Sequence, residues 1–202
     1  METGILRWSK SIMSDLVFLL EEESVRELLK GLLPRIIPEE IRETINIRYI
    51  CFEGKQDLDR NITPKIRSYR NPASSFIILR DQDSADCHIL KDDLRSKCTI
   101  ANRPDSVIRI ACREIESWYL ADLLAVERGL NINGLSQHQN KRKYRAPDYL
   151  HKPSKDLKIL TNNIYQKVSG SRSIGPFLQL DNCRSNSFKV FVDGIRQVTN
   201  IN

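Results

Sequence analysis

Carboxylates follow three apolar, strand-like segments of the chain, at the point where each segment ends. The strands of an open parallel α/β sheet direct their carboxyl ends toward one crevice, where ligands bind. Acids that are far apart in sequence are therefore expected to meet at that edge of the sheet. These residues are Glu21, the pair Asp81 and Asp83, and the pair Glu114 and Glu116.

Such a group of acids points to a divalent cation. Two like charges about 4 Å apart repel each other by on the order of 4 kcal/mol at an effective dielectric constant near 20. The cluster must therefore stay partly protonated or hold a cation, and Mg²⁺, with few carboxylates and several waters, fits best. For Glu114 and Glu116 an alternative is that they are surface acids at the start of a helix, where the helix dipole favours them.

Length and composition indicate a globular protein. The 202 residues, 40% hydrophobic and 29% charged, are enough for one domain, or for one domain and a small appendage. No apolar stretch is long enough to span a bilayer, and no signal-peptide core is evident. The five scattered cysteines fit reduced thiols inside a cell, so a cytoplasmic location is expected.

Charge is unevenly distributed along the chain. Of its 32 Lys and Arg and 26 Asp and Glu residues, twelve basic and four acidic residues lie in residues 141–202, a net charge of +8 against −2 for the rest. A basic part beside an acid-bearing part suits an enzyme that acts on a polyanion. A basic surface that is merely solvated is the alternative.

Apolar runs rich in β-branched and aromatic residues alternate with helical patterns up to about residue 130. This alternation predicts right-handed βαβ crossovers and a parallel sheet flanked by helices. The expected strands are residues 15–20, 46–52, 75–80 and 106–112. The expected helices are one capped by Ser24 and Glu27 and closed by Pro34, and those over 57–69, 86–96 and 117–128, the last ending at Gly129.

The pattern changes after residue 130. Residues 153–160 and 185–198 are predicted to be helices, and no strand is evident. Between them the Gly-, Ser- and basic-rich residues 166–176 could hold phosphate oxygens on backbone N–H groups, although no P-loop spacing is present. The predicted organisation is an N-terminal extension (1–12), a metal-binding α/β domain (13–130) and a basic helical appendage packed on it (131–202).

These motifs carry a resemblance. A strand, Glu21 and a helix, followed later by a strand, Asp81-Gln-Asp83 and a helix, is similar to the Toprim domain, the metal-binding nucleotidyl-transfer and hydrolysis module of topoisomerases, bacterial primases and overcoming-lysogenization-defect nucleases. More closely, and nearly throughout from Met13, the chain resembles a bacterial Toprim-like family of unknown function. The motifs that carry this closer resemblance are Glu22-x-Ser24 and residues 53–58, 79–87, 109–120 and 165–176.

The resemblance implies a Toprim-like (Rossmann-like) fold and a role for each acid. Glu21 would be a metal ligand or general base, and Asp81 and Asp83 would bind Mg²⁺ or Mn²⁺ and activate water for attack on a phosphodiester. Glu116, and with it Glu114, could hold a second metal, as additional acids do in the overcoming-lysogenization-defect nucleases. Toprim proteins generally have Gly after the first-strand Glu, and Glu22 stands there here. Either Glu21 or Glu22 is thus the functional residue, and Glu21 is favoured by position.

Basic residues are assigned to the nucleic acid. Those beside the acids could orient a phosphate or pair with a neighbouring carboxylate, and those of the second part could line a path for the phosphate backbone. They are Lys55, Arg80, Arg113, Lys155, Lys158, Lys167 and Arg172.

The expected activity is that of a metal-dependent phosphodiesterase, a nuclease acting on DNA or RNA. Toprim nucleases often work with an ABC- or AAA-type ATPase in defence against phage, which by analogy implies a separately encoded partner and an antiviral or toxin role. The alternative is a non-catalytic nucleic-acid-binding or regulatory subunit with a structural Mg²⁺. Oligomeric state, including a homodimer, is left open.

Overall fold

A parallel sheet forms the centre of the molecule. The computed structural model describes residues 13–182 and 184–201, so the expected extension over residues 1–12 lies outside the described residues. The strands, all parallel, are β1 (Ser14–Leu20), β2 (Ile45–Cys51), β3 (Ser74–Asp81) and β4 (Val107–Ala111). Their order in the sheet is β2-β1-β3-β4. The four predicted strands are therefore confirmed, and the chain has a Rossmann-like α/β architecture.

Helices cover both faces of this sheet. The α-helices of the described part are α1 (Glu23–Ile36), α2 (Glu39–Arg42), α3 (Lys55–Arg67), α4 (Cys87–Ile100), α5 (Glu116–Leu120), α6 (Leu123–Leu130), α7 (Pro153–Leu160), α8 (Lys167–Ile174) and α9 (Asn186–Val198). Short 3₁₀ turns include Pro147–Tyr149 and Gly175–Phe177. Among the residues that the structure describes, no helix is long and apolar enough to cross a membrane.

The side chains of β1 alternate between two hydrophobic clusters. Val17 and Leu19 pack with residues of α3 and α4, and Leu16, Phe18 and Leu20 pack with residues of α1, α5 and α6. Because both faces are buried, the central strand is a continuous apolar run rather than an alternating one. The second cluster also takes in apolar residues of the chain after residue 150, namely Leu157, Tyr165, Ile174, Phe188, Phe191 and Ile195.

The first helix does not begin as the capping box predicted. Glu22 is its N-cap residue, and Ser24 lies inside the first turn, where its hydroxyl donates to the Glu22 carboxylate. Glu27 is instead engaged by basic side chains, and Pro34 lies within the last turn, because the helix continues to Ile36. Glu27 therefore forms ion pairs within α1 and with α8 instead of a capping box.

The helix predicted over residues 117–128 is two helices. The chain breaks at Asp122, whose carboxylate accepts hydrogen bonds from the N–H groups of Ala125 (3.1 Å) and Gln179 (2.8 Å). The second helix continues past Gly129. A Cβ atom on that glycine would lie 2.6 Å from the carbonyl oxygen of Ser173, so glycine there permits close packing against α8.

Residues 166–176, whose backbone N–H groups were expected to hold phosphate oxygens, are mostly helix α8. Its Gly170 is a packing residue, because a Cβ atom there would lie 2.4 Å from the Tyr165 ring. Its N–H group donates to the carbonyl oxygen of Gln166 (2.6 Å). The small residues of this segment therefore serve helix packing.

Candidate functional site

Two carboxylates meet where the central strands end. Asp81 is the last residue of β3 and Glu21 follows β1, and the parallel pairing of these strands places them side by side. One Glu21 oxygen accepts from the backbone N–H of Asp81 (3.2 Å), and one Asp81 oxygen accepts from the N–H of Ile115 (2.9 Å). The end of β3 is thereby held between β1 and the start of α5.

Glu116 adds a third carboxylate, from the first residue of α5. Its side chain is completely buried, and Tyr165 donates its phenolic O–H to Oε1 (3.0 Å). The other oxygen, Oε2, is buried without a hydrogen-bond partner among the described residues. Because a buried polar atom without a partner is costly, this oxygen is suited to a proton or a cation.

Burial changes the ionisation of Glu21, Asp81 and Glu116, which we call the inner acids. Burial, reinforced by the charges of Glu116 and Glu21, raises the pKa of Asp81 well above its ordinary value. Burial also raises the pKa of Glu21 and of Glu116. The inner acids thus form an electrostatically strained group at the edge of the sheet.

Lys167 lies beside this group. Its ammonium is 2.7 Å and 2.8 Å from the two oxygens of Glu22, and Ser24 donates to the same carboxylate. Desolvation opposes protonation, yet the hydrogen bond to Glu22 and the charges of Glu116 and Asp81 raise the pKa of Lys167 to about 12. Lys167 therefore faces the acids rather than an open basic surface.

The remaining predicted ligands, Asp83 and Glu114, which we call the outer acids, are engaged by other partners. Asp83 pairs with Lys55 (2.7 Å), and its N–H donates to the carbonyl of Arg113 (2.7 Å). Glu114 accepts from the N–H of Ser154 (2.6 Å) in the first turn of α7. Because α5 begins at Glu116, the pair Glu114 and Glu116 diverges.

The basic residues assigned to the nucleic acid differ in their partners: some form ion pairs, some are exposed without one, and Arg113 bonds a backbone carbonyl. Arg80 is 8% exposed and pairs with Asp59 (2.6 Å), with its Nε 3.9 Å from Glu21. Arg172 pairs with buried Glu27 (2.6 Å). On α7, Lys155 and Lys158 are exposed and form no salt bridge within the described part of the chain. The guanidinium of Arg113 donates to the carbonyl of Asp83 (3.1 Å).

Tyr165 is the residue of the site that the sequence analysis did not assign. It opens one of the resemblance motifs, but nothing in local periodicity links it to Glu116, 49 positions away. Tyr119, whose O–H donates to Ser171 (2.8 Å), and Tyr165 pack edge to face beside the inner acids. Both were outside the predicted site because their role depends on how α5 meets α8.

The inner acids are the candidate ligands of the divalent cation that the resemblance implies. Their carboxylate oxygens are the donors that Mg²⁺ and Mn²⁺ prefer, and the unpartnered Oε2 of Glu116 supplies a free donor. As the side chains stand, no three His, Cys, Asp or Glu residues of the described ranges are grouped closely enough to hold a metal ion. The donor type fits, and a bound cation would have to draw these side chains together.

Fold and site together define an α/β protein with a Rossmann-like parallel sheet and buried acids at the carboxyl edge. Residues 20–196 match the family model described as Domain of unknown function (DUF4276). Since the match covers most of the chain, the protein belongs to this family. No curated protein and no solved structure matches the chain.

Proposed function

We propose that this protein is a metal-dependent phosphodiesterase acting on nucleic acid, with its reaction centre at Glu21, Asp81 and Glu116. The observation that carries the proposal is the convergence of these acids from β1, β3 and α5, with one buried Glu116 oxygen lacking a hydrogen-bond partner. Burial raises their pKa values and so disfavours their charged forms, which a bound divalent cation would stabilise.

When bound, Mg²⁺ or Mn²⁺ would supply Lewis acidity and lower the pKa of an attacking water. The chain's own contribution is to hold the acids in place. The N–H groups of Asp81 and Ile115 fix the carboxylates of Glu21 and Asp81, and Tyr165 orients that of Glu116. A carboxylate of raised pKa such as Glu21 is suited to accept a proton from water near neutral pH.

We also propose that the fold is Toprim-like. A Toprim-like α/β domain with a basic helical appendage would account for Glu21 after β1, for Asp81 and Asp83 at the end of β3, and for the net charge of +8 in residues 141–202. By analogy with Toprim nucleases, a separately encoded ABC- or AAA-type ATPase would be the partner, in a phage-defence role. Copurification with the product of a neighbouring ATPase gene tests that part.

Cleavage of labelled DNA and RNA panels, with Mg²⁺, Mn²⁺ or a chelator, tests the activity. Wild type should cut only with metal, and Asp81→Asn, which keeps an oxygen to accept from Ile115, should not cut. Glu21→Gln should also be inactive; if Glu22→Gln abolishes cleavage and Glu21→Gln does not, Glu22 is the functional acid after β1. If no member of the panels is cut under any metal condition, the phosphodiesterase proposal fails.

A second candidate is a non-catalytic nucleic-acid-binding or regulatory subunit with a structural Mg²⁺. The ion pairs of Glu22 with Lys167 and of Asp83 with Lys55 favour it, because they already neutralise two acids at this edge. For this candidate, Asp81→Asn should retain nucleic-acid binding and wild type should show no metal-dependent cleavage. The same panels therefore separate the two functions.

A further inference from the structure

Two neighbouring depressions open at the carboxyl ends of β3 and β4, on the outer side of the acids. One has a volume of about 420 Å³ and is lined by Lys55, Asp83, Arg113, His151 and Lys152, among others. The other, of about 350 Å³, is lined by Gln82, Arg113, Asp148, Tyr149 and Arg184, among others. Arg113 borders both depressions, and we call the two together the rim groove.

The side chains that line the rim groove carry four positive charges against three carboxylates: Lys55, Arg113, Lys152 and Arg184 against Asp83, Glu114 and Asp148. The Asp148 carboxylate is hydrogen-bonded within the fold, because it accepts from the Ser185 hydroxyl (2.6 Å) and from the backbone N–H of Ser187 (3.0 Å). Asp83 is neutralised by Lys55 at 2.7 Å. Within the described part of the chain, Arg113 and Arg184 form no salt bridge with a carboxylate. These guanidinium groups remain available to phosphate oxygens.

An aromatic ring stands at the edge of this groove. Tyr149, in the 3₁₀ turn Pro147–Tyr149, is 85% exposed, more than any other large hydrophobic side chain of the described residues. Its neighbours in the sequence show why it is fixed there: Pro147 is buried and Asp148 is tied to the start of α9. The turn is therefore fixed by packing and hydrogen bonds, and the Tyr149 ring is exposed to solvent beside the same depression as Arg113 and Arg184.

The basic side chains on α8 are poorer candidates for a phosphate path. Lys167 and Arg172 are both committed to ion pairs, with Glu22 and with buried Glu27. A phosphate there would compete with carboxylates that need those charges. The rim groove offers unpaired guanidinium groups and an open ring, and the sequence-based assignment to α8 did not include Tyr149, Lys152 or Arg184.

We infer that the rim groove binds single-stranded nucleic acid, with Arg113 and Arg184 on the phosphate backbone and one unpaired base stacked on Tyr149. This inference rests on the proposed function and adds its substrate class. Aromatic rings bind bases of any sequence by stacking, and basic grooves follow the backbone. A base within a duplex is stacked on its neighbours and cannot offer its face to a side chain. A strand held this way passes Gln82 and Asp83, next to the inner acids.

The test compares base-bearing single strands with an abasic strand and with a duplex. Fluorescence anisotropy in metal-free buffer measures binding of labelled oligothymidine, oligouridine, an abasic strand of the same length, and a duplex. Wild type should bind the base-bearing strands roughly 5- to 150-fold more tightly than the abasic strand, the range that stacking of one base provides. Tyr149→Ala should remove that preference and Tyr149→Trp should keep it. Ile159→Ala, another exposed apolar residue, is the matched control and should change nothing.

The arginines are tested by salt dependence. Arg184→Gln should weaken the base-bearing and abasic strands alike and reduce the slope of log affinity against log salt by about 0.7, the value for one phosphate of a single strand. Lys65→Gln, an exposed basic residue that does not border the groove, is the control. The oligothymidine and oligouridine arms distinguish a DNA strand from an RNA strand.

The inference is overturned if Tyr149→Ala keeps the full preference for bases, if wild type binds the abasic strand equally well, or if the duplex binds more tightly than the single strands. Cleavage by wild type together with any of these results rejects the single-strand groove alone. A Tyr149-dependent preference without cleavage under any metal condition supports the groove and rejects the phosphodiesterase proposal alone.

Discussion

Two buried glutamates of this protein, Glu27 and Glu116, differ in their hydrogen-bond partners and in the direction of their pKa shifts. Glu27, 2% exposed on α1, accepts hydrogen bonds from Lys30 (2.7 Å), Arg172 (2.6 Å) and Arg26 (3.2 Å). These bonds, that of Lys30 first, lower the pKa of Glu27 to about 2. Glu116, fully buried on α5, has one bond from Tyr165 and one oxygen without a partner, and its pKa is raised.

The difference separates a structural acid from a candidate functional one. A buried carboxylate that is fully paired joins α1 to α8 and stabilises the fold in its charged form. A buried carboxylate that is left partly unsatisfied lowers stability unless something else binds it. Strongly perturbed acids of the second kind are enriched at functional sites. The comparison therefore predicts opposite outcomes for the same Glu→Gln substitution.

The largest effect is expected for Glu27→Gln. It should lower the free energy of unfolding at pH 7 by on the order of 3 kcal/mol, about 150-fold in the equilibrium constant, because the pKa of Glu27 is held at about 2 instead of its ordinary 4.5. A folded-state pKa that is depressed stabilises above the unfolded value. The contribution should thus be lost as pH falls from 4.5 toward 2.

Urea unfolding of wild type and variant across this pH range measures the difference. Glu23→Gln, which removes an exposed partner of Arg26, is the control and should cost less than about 1 kcal/mol. Equal stability of Glu27→Gln and wild type at pH 7 would show that the ion pairs around Glu27 do not hold α1 and α8 together.

Glu116→Gln should have the converse profile. Metal-dependent cleavage should fall by ~100-fold or more, the order for loss of a positioned acid or base. Stability in metal-free buffer should not decrease, since Gln can still accept from Tyr165 and no longer buries a charge. Steady-state cleavage and thermal unfolding of the same preparation measure both quantities. A large loss of stability with unchanged activity would make Glu116 a structural residue like Glu27.

Affinity for Mn²⁺ should depend more on the inner acid Asp81 than on the outer acid Asp83. Asp81→Asn should weaken Mn²⁺ binding at least ~10-fold, the usual order for disturbing a metal's ligand set. Asp83→Asn should have a smaller effect, because Lys55 already neutralises Asp83 at 2.7 Å. Calorimetric titration with Mn²⁺ provides the numbers. If Asp83→Asn proves the more damaging change, the metal lies at the rim instead of among the inner acids.

The smallest effect is expected for Tyr165→Phe, which removes the hydrogen bond that orients Glu116. Cleavage should fall about fivefold, corresponding to about 1 kcal/mol for one hydrogen bond. Tyr119→Phe removes a comparable buried bond to Ser171 and is the matched control for stability. Both should destabilise the protein similarly, and only Tyr165→Phe should slow cleavage. Equal activity in the two variants would deny Tyr165 a positioning role.

The helices show where local reasoning reached its limit. Residues 86–96 were predicted as a helix, and Asp86 does cap α4 by accepting from His88 (2.8 Å) and Ile89 (3.1 Å). No helix was predicted over residues 166–176, yet most of them form α8. Their Gly and Ser content by itself favours a turn, but the helix packs on α1 and α6, and glycine at position 170 leaves room for the Tyr165 ring. A propensity can be overridden by such packing.

The sequence alone determined the strands, their parallel arrangement and the presence of acids at their carboxyl ends. Each of these depends on apolar runs of strand length and on the residue that follows them, which are local properties. Only the tertiary structure decided which acids share a site and which are neutralised. Lys167 reaches Glu22, and Arg172 reaches Glu27, each across 145 positions, when α8 packs on α1. Partner choice at that separation is set by packing geometry, because no short-range pattern records which side chains a distant helix will bring.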